Sequence, residues 1–188
     1  LDLSDCAALE SITCNYNNLT ELIVNGATSL SFFECQSNQL TSLDVSGCPR
    51  LNNLSCQGNQ LTSLNVSGCS NLSLLFCSSN RLTSLDLSKN GRIVQLFVDR
   101  NQLTSLDVSN LRQLSVLNCM DNQLQSLDVR YCTVLGTLYS SRNPLGKLDV
   151  SRNLNLRTLC CADNGLTELD VTCLLYTSPS PRDRSVSR

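Results

Sequence analysis

Apolar residues recur along this chain at a fixed interval. An aliphatic residue stands at Leu9, Leu30, Leu51, Leu72, Ile93, Leu114, Leu135 and Leu156, a step of 21 residues each time with no insertion. Counting from each of these anchors, the fourth position reads Ile12, Phe33, Leu54, Leu75, Leu96, Leu117, Leu138 and Leu159. The eleventh and fourteenth positions are leucine in every copy, and the sixteenth is valine apart from Leu87. The sixth is cysteine except at Val98 and Ser140. Polar residues fill most of the spaces between. Eight in-phase copies of one pattern predict a repeat architecture in which each copy is one turn of a solenoid.

Each turn contains the same short pattern twice. Leu30, Phe33 and Cys35 are followed ten residues later by Leu40, Leu43 and Val45. In L-x-C and L-x-V the alternate side chains share one face of an extended segment. The chain therefore reads as a mainly β repeat solenoid, a flattened coil of about eight turns. Short parallel strands are expected to stack on both sides, with little or no helix. Parallel strands lie ~4.8 Å apart, so eight turns make a rod about 40 Å long. One turn cannot bury its own apolar face, so stability must come from stacking.

The motif L-x-x-L-x-[LC]-x-x-N-x-L resembles the signature of leucine-rich repeat proteins. Its continuation L-T-S-L-D-V-S is similar to the 21-residue class found in bacterial surface and secreted proteins. The resemblance runs from residue 1 to about residue 172. It implies a leucine-rich repeat coil whose strand face usually meets a ligand. It says little about which ligand, because the family binds many unrelated partners.

The ninth column is invariant: Asn17, Asn38, Asn59, Asn80, Asn101, Asn122, Asn143 and Asn164. Asparagine tolerates tight backbone and hydrogen-bonds nearby main chain, so this column reads as a structural ladder. The chain has 12 cysteines, and ten of them fall in the sixth or nineteenth columns, where other turns place Val98, Ala27 or Leu111. There they serve as small buried hydrophobes with free thiols. Bridges between neighbouring turns are the competing reading. With no histidine and no C-x-x-C, structural zinc lacks its usual ligands. Cys160 stands apart at an outward position beside Cys161. A second ladder, Asp2, Asp44, Asp86, Asp107, Asp128, Asp149 and Asp170, sits in L-D-V and points outward. Hydrogen bonds from neighbours such as Ser42 or Ser46 would satisfy these carboxylates, and calcium bridging is the alternative.

Net charge is −2, which gives no electrostatic attraction to nucleic acid. No apolar run is long enough to span a membrane as a helix. The absence of histidine and of nucleophile-elbow or phosphate-loop motifs leaves catalysis unsupported, and no catalytic residue, cofactor or metal is expected. Residues 1–8 align with the second half of a repeat, so the repeat array is assigned to residues 1–172 with a partial first copy. The expected reading is a fragment that lacks its native N-terminus. Residues 173–188 leave the pattern and resemble translated sequencing-adapter contamination, or else a disordered Ser/Pro/Arg tail.

Function should lie where the turns differ. Between the fourth and sixth columns the outward residues are Thr13, Glu34, Ser55, Phe76, Phe97, Asn118, Tyr139 and Cys160. Phe76, Phe97 and Tyr139 put three of the chain's eight Phe and Tyr residues on one strip. Asp99, Arg100, Met120, Asp121 and Arg142 lie just beyond. Aromatic, Met and Arg side chains are enriched where proteins meet. The reading is a non-catalytic binding module of a bacterial surface or secreted protein, extracellular or at the cell surface. Its partner would be another protein or a surface glycan. A structural spacer and a cytosolic effector module are the alternatives.

Overall fold

A computed structural model describes residues 1–174, so residues 175–188, most of the segment read above as a non-native tail, lie outside the described part. Eight three-residue strands form one parallel sheet. They are β1 (Ser11–Thr13), β2 (Phe32–Glu34), β4 (Asn53–Ser55), β6 (Leu74–Phe76), β7 (Gln95–Phe97), β8 (Val116–Asn118), β9 (Thr137–Tyr139) and β10 (Thr158–Cys160). Each strand pairs with the one 21 residues away, as in Leu54↔Leu75 and Leu75↔Leu96. The sequence period is therefore the sheet register. The fourth-column residue is the inward centre of each strand, with outward side chains on either side.

The apolar columns converge on one core that runs the length of the described array. Phe33, Leu54, Leu75, Leu96, Leu117 and Leu138 are fully buried, as are Cys35, Cys56, Cys77 and Cys119 beside them. Cys48, Cys69 and Cys132 line the far corner, each donating its thiol to a valine carbonyl of the preceding turn, as Cys69 does to Val45 at 3.1 Å. Cys6 shares that column but is exposed. Asn90 and Asn153 also occupy this corner, fully buried. Their side-chain amides each donate two bonds to carbonyls of the preceding turns, at 2.9–3.0 Å.

The second side of the coil pairs only in part. Its strands are β3 (Ser42–Asp44) and β5 (Ser63–Asn65), joined to each other, with one further bridge between Asp2 and Ile23. Both pairings fall where the eighteenth residue of the turn is glycine, although Gly47 makes the same approach without a pairing. Gly26, Gly47 and Gly68 lie so close to the preceding turn that an added Cβ would stand 1.5–2.1 Å from a main-chain oxygen. Glycine alone permits that approach. Later turns place Lys89, Asn110, Tyr131 and Arg152 at this position, and the second ladder stops. The aspartates of this side fold onto their own turns instead. Asp44, Asp86, Asp107 and Asp149 each accept the amide N–H two residues on, at 2.9 Å. Asp44 thus bonds the Ser46 amide rather than the Ser42 hydroxyl.

A three-residue 3-10 turn, Thr172–Leu174, is the one helical element among the described residues. No helix there is long and apolar enough to cross a membrane.

Candidate partner-binding face

The ninth-column asparagines hold the bend that follows each strand. Asn101 donates to the carbonyls of Val98 in its own turn and Cys77 in the turn before, both at 3.1 Å. Its carbonyl accepts the Leu82 N–H at 3.0 Å. Asn38, Asn59, Asn80 and Asn122 repeat the arrangement. Asn17, in the first full turn, is exposed and bonds only its own turn. Asn164, in the last, turns its carbonyl to the Asn143 N–H. The residue just ahead of the asparagine carries the left-handed backbone. Tyr16, Ser37, Ser79, Arg100, Asp121, Arg142 and Asp163 all have φ between 54° and 57°, with Gly58 at 67°. So Arg100, Asp121 and Arg142 project from a rigid, strained corner rather than a loose loop.

On the outward face of the sheet, Phe76 and Phe97 stack with ring centroids 5.1 Å apart and planes 29° from parallel. Tyr139 is not part of that stack, because Asn118 stands between Phe97 and Tyr139 in the register. All three aromatic residues are half-buried rather than exposed. The strands also bring up outward residues at the third column. Leu74 shares a strand with Phe76, and Val116 lies two strands away with Gln95 between them. Leu74, Phe76, Phe97 and Val116 therefore form one apolar surface. The sequence signal for Leu74 and Val116 was the second outward slot of each strand, two residues before the aromatic column.

The charged candidates beside this surface are already engaged. Asp99 accepts the Ser78 hydroxyl at 2.5 Å and the Asn118 amide at 2.9 Å. Asp121 pairs with Arg142 through both carboxylate oxygens. That hydrogen-bonded guanidinium holds the Asp121 carboxyl below its ordinary range. Met120 is half-buried and Arg100 is exposed. Arg142 also borders a hollow of about 470 Å³ shared with Pro144, Asp163 and Asn164.

The cysteines from Cys6 to Cys161 are free thiols. Burial pushes the Cys77 and Cys119 thiols up to about 12, and Cys48 and Cys132 up to about 11. These thiols stay protonated and unreactive at neutral pH. Among the described residues no cluster of three or more His, Cys, Asp or Glu side chains is placed to hold a metal ion.

No protein-family model and no curated protein matches the chain. Solved structures do. A functional domain of InlJ from Listeria monocytogenes, described as including a cysteine ladder, is 30% identical. The match covers 93% of this chain and 48% of that one, with a TM-score of 0.66. In this chain Cys35, Cys56 and Cys77 form a buried column on successive turns.

This chain folds as a leucine-rich repeat coil.

A leucine-rich repeat protein of Leptospira interrogans superposes at a TM-score of 0.78 and 25% identity, over 87% of this chain and 45% of that one. The leucine-rich effector YopM of Yersinia pestis matches at 0.69 and 26%, over 83% and 44%. The leucine-rich repeat chain spans about half the length of these structures. The shared element is the parallel coil itself, with one short strand per 21 residues on its main sheet.

Proposed function

We propose that this leucine-rich repeat array is a non-catalytic protein-binding module whose docking face is the outward side of the main sheet. It would serve a bacterial surface or secreted protein. The observation that carries the reading is the half-buried apolar surface of Leu74, Phe76, Phe97 and Val116 on the outward side of the main sheet, with its stacked ring pair. Apolar side chains gathered on a solvent face are stabilised when a partner covers them. They sit on a rigid ladder, so little order is lost on binding. Tyr139, Met120 and Arg100 extend the same face toward the strained corners. The similarity to InlJ and to YopM supports an interaction module of this kind.

The test compares three versions of the array as immobilised bait for surface-protein extracts of candidate host or neighbouring cells. These are the wild type, F76S/F97S and a control altered on the second side, S84A/S105A. A genuine partner is lost from F76S/F97S and retained by the control. Once purified, it should bind F76S/F97S at least tenfold more weakly than wild type by calorimetry. Equal affinity for both would refute the docking face.

A further inference from the structure

The edge by which the chain enters the main sheet is cationic, although the whole protein carries a net charge of −2. This edge comprises positions 17 to 21 of one turn and position 2 of the next. From Ser46 to Arg157 it holds Arg50, Lys89, Arg92, Arg112, Arg130, Arg152 and Arg157, and no Asp or Glu. All seven cations are exposed. Arg130 pairs with Asp128 at 2.7 Å, and Arg92 donates to the neutral side chain of Asn71 at 2.6 Å. Among the described residues Arg50, Lys89, Arg112, Arg152 and Arg157 form no ion pair, although Lys89 and Arg152 lie near enough to Asp86 and Asp149 to help lower those carboxyls. The opposite flank differs: its Asp99, Asp121 and Arg142 are already bonded to one another's neighbours or to each other.

Placement makes this row part of the docking face. Arg92, Arg112 and Arg157 stand three, four and one residues before β7, β8 and β10, on the side of the sheet from which the chain enters the strands that hold Phe97 and Val116. From β7 to β10 is three rungs of a parallel sheet, about 15 Å, the reach of four or five extended residues. A peptide lying along the solenoid axis can therefore meet the cations with its carboxylates and the apolar surface with its neighbouring side chains. A uniformly charged polyanion fits less well. Phe76 and Phe97 are committed to each other's faces, and the aspartates of the far flank repel a broad anionic ligand.

We infer that the partner is a protein segment that combines acidic residues with apolar anchors, the carboxylates lying along the row Arg92–Arg112–Arg157 and the anchors on Leu74, Phe76, Phe97 and Val116. This rests on the proposed docking face and adds the chemistry of what it takes.

The probe is a fluorescently labelled random copolymer of glutamate and tyrosine, added to the full chain and read by anisotropy. Wild type should bind it, and affinity should fall about tenfold between 50 and 300 mM salt, because exposed charges are screened over that range. R92E/R112E should bind at least tenfold more weakly. R81E/K147E makes the same change of charge away from the row and should bind within twofold of wild type. F76S/F97S should also lose at least tenfold. Dextran sulfate of matched charge should compete poorly. If R92E/R112E binds as wild type while F76S/F97S does not, the acidic specificity is overturned and the docking face stands. If F76S/F97S binds as wild type, the docking face itself falls, and the inference with it. Salt-independent binding, no binding, or dextran sulfate competing as well as the copolymer would each overturn the inference. Circular dichroism of every variant confirms that these exposed substitutions leave the coil intact.

Discussion

Asn101 acts as a strut between three main-chain groups of two turns, and this is the residue-scale logic of the molecule. Its replacement by alanine leaves the buried Leu82 amide without a partner and takes one of two donors from the carbonyls of Cys77 and Val98, which keep Asn80 and Asn122. An unmet buried amide costs ~1–3 kcal/mol and each lost hydrogen bond about 1 kcal/mol, so N101A is expected to lose about 3 kcal/mol in urea unfolding. N17A, which breaks bonds within one exposed turn, should lose about 1 kcal/mol or less. The cysteine column gives a second expectation, set by pH. Burial raises the folded thiols of Cys77 and Cys119 from an ordinary value near 9.0 to about 12. The folded state then holds protons that the unfolded chain has released. Stability is intact below pH 9 and falls as pH rises from about 9 toward 12. Valine already fills this slot at Val98, so C77V/C119V should fold and show a shallower alkaline decline in melting temperature. An unchanged decline would mean these thiols are not the source.

At the scale of the element, glycine at the eighteenth position permits the close approach of turns at which the second side pairs. An added Cβ at Gly68 would meet the Ser46 carbonyl oxygen at 1.8 Å, in the turns that carry β3 and β5. G68A is expected to separate those strands, costing about 1–3 kcal/mol. The Val45 amide, which donates to Asn65 at 3.0 Å, should then exchange with solvent faster. Gly91 is the contrast. A Cβ there would sit 3.5 Å from the Asn110 oxygen, an ordinary contact, so G91A should leave both stability and exchange nearly unchanged.

The whole molecule depends on phase. Its main-sheet pairs join residues 21 apart, so removing residues 93–113 connects Arg92 to Leu114 with every column still aligned. That shortened array should keep its β-type circular dichroism and melt cooperatively at a lower temperature, because stability accumulates from neighbouring turns. Removing 93–112, one residue fewer, throws later apolar columns out of register and should abolish the transition. A similar result for both deletions would mean the turns fold independently.

The period, the inward columns and the mainly β coil were legible in the residues because stacking identical turns forces identical positions to meet. Leu54, Leu75 and Leu96 announce a strand centre in the sequence and occupy one in the structure. The resemblance carried by L-x-x-L-x-C-x-x-N-x-L named the family for the same reason. What the residues alone could not decide were relations between turns. Phe76, Phe97 and Tyr139 read as one strip with Asn118 already between the last two, and the packed sheet adds the distance that separates a stacked pair, 5.1 Å between the Phe76 and Phe97 ring centroids. Asp121 and Arg142 read as two candidate contacts, and the fold spends them on each other. Gly26, Gly47 and Gly68 gave no sign that they let adjacent turns approach so closely until the positions of neighbouring backbones were known. A periodic sequence states which side chains share a column. Only the packed coil sets how near adjacent turns come and which side chains are already satisfied, because those depend on distances across the stack rather than along the chain.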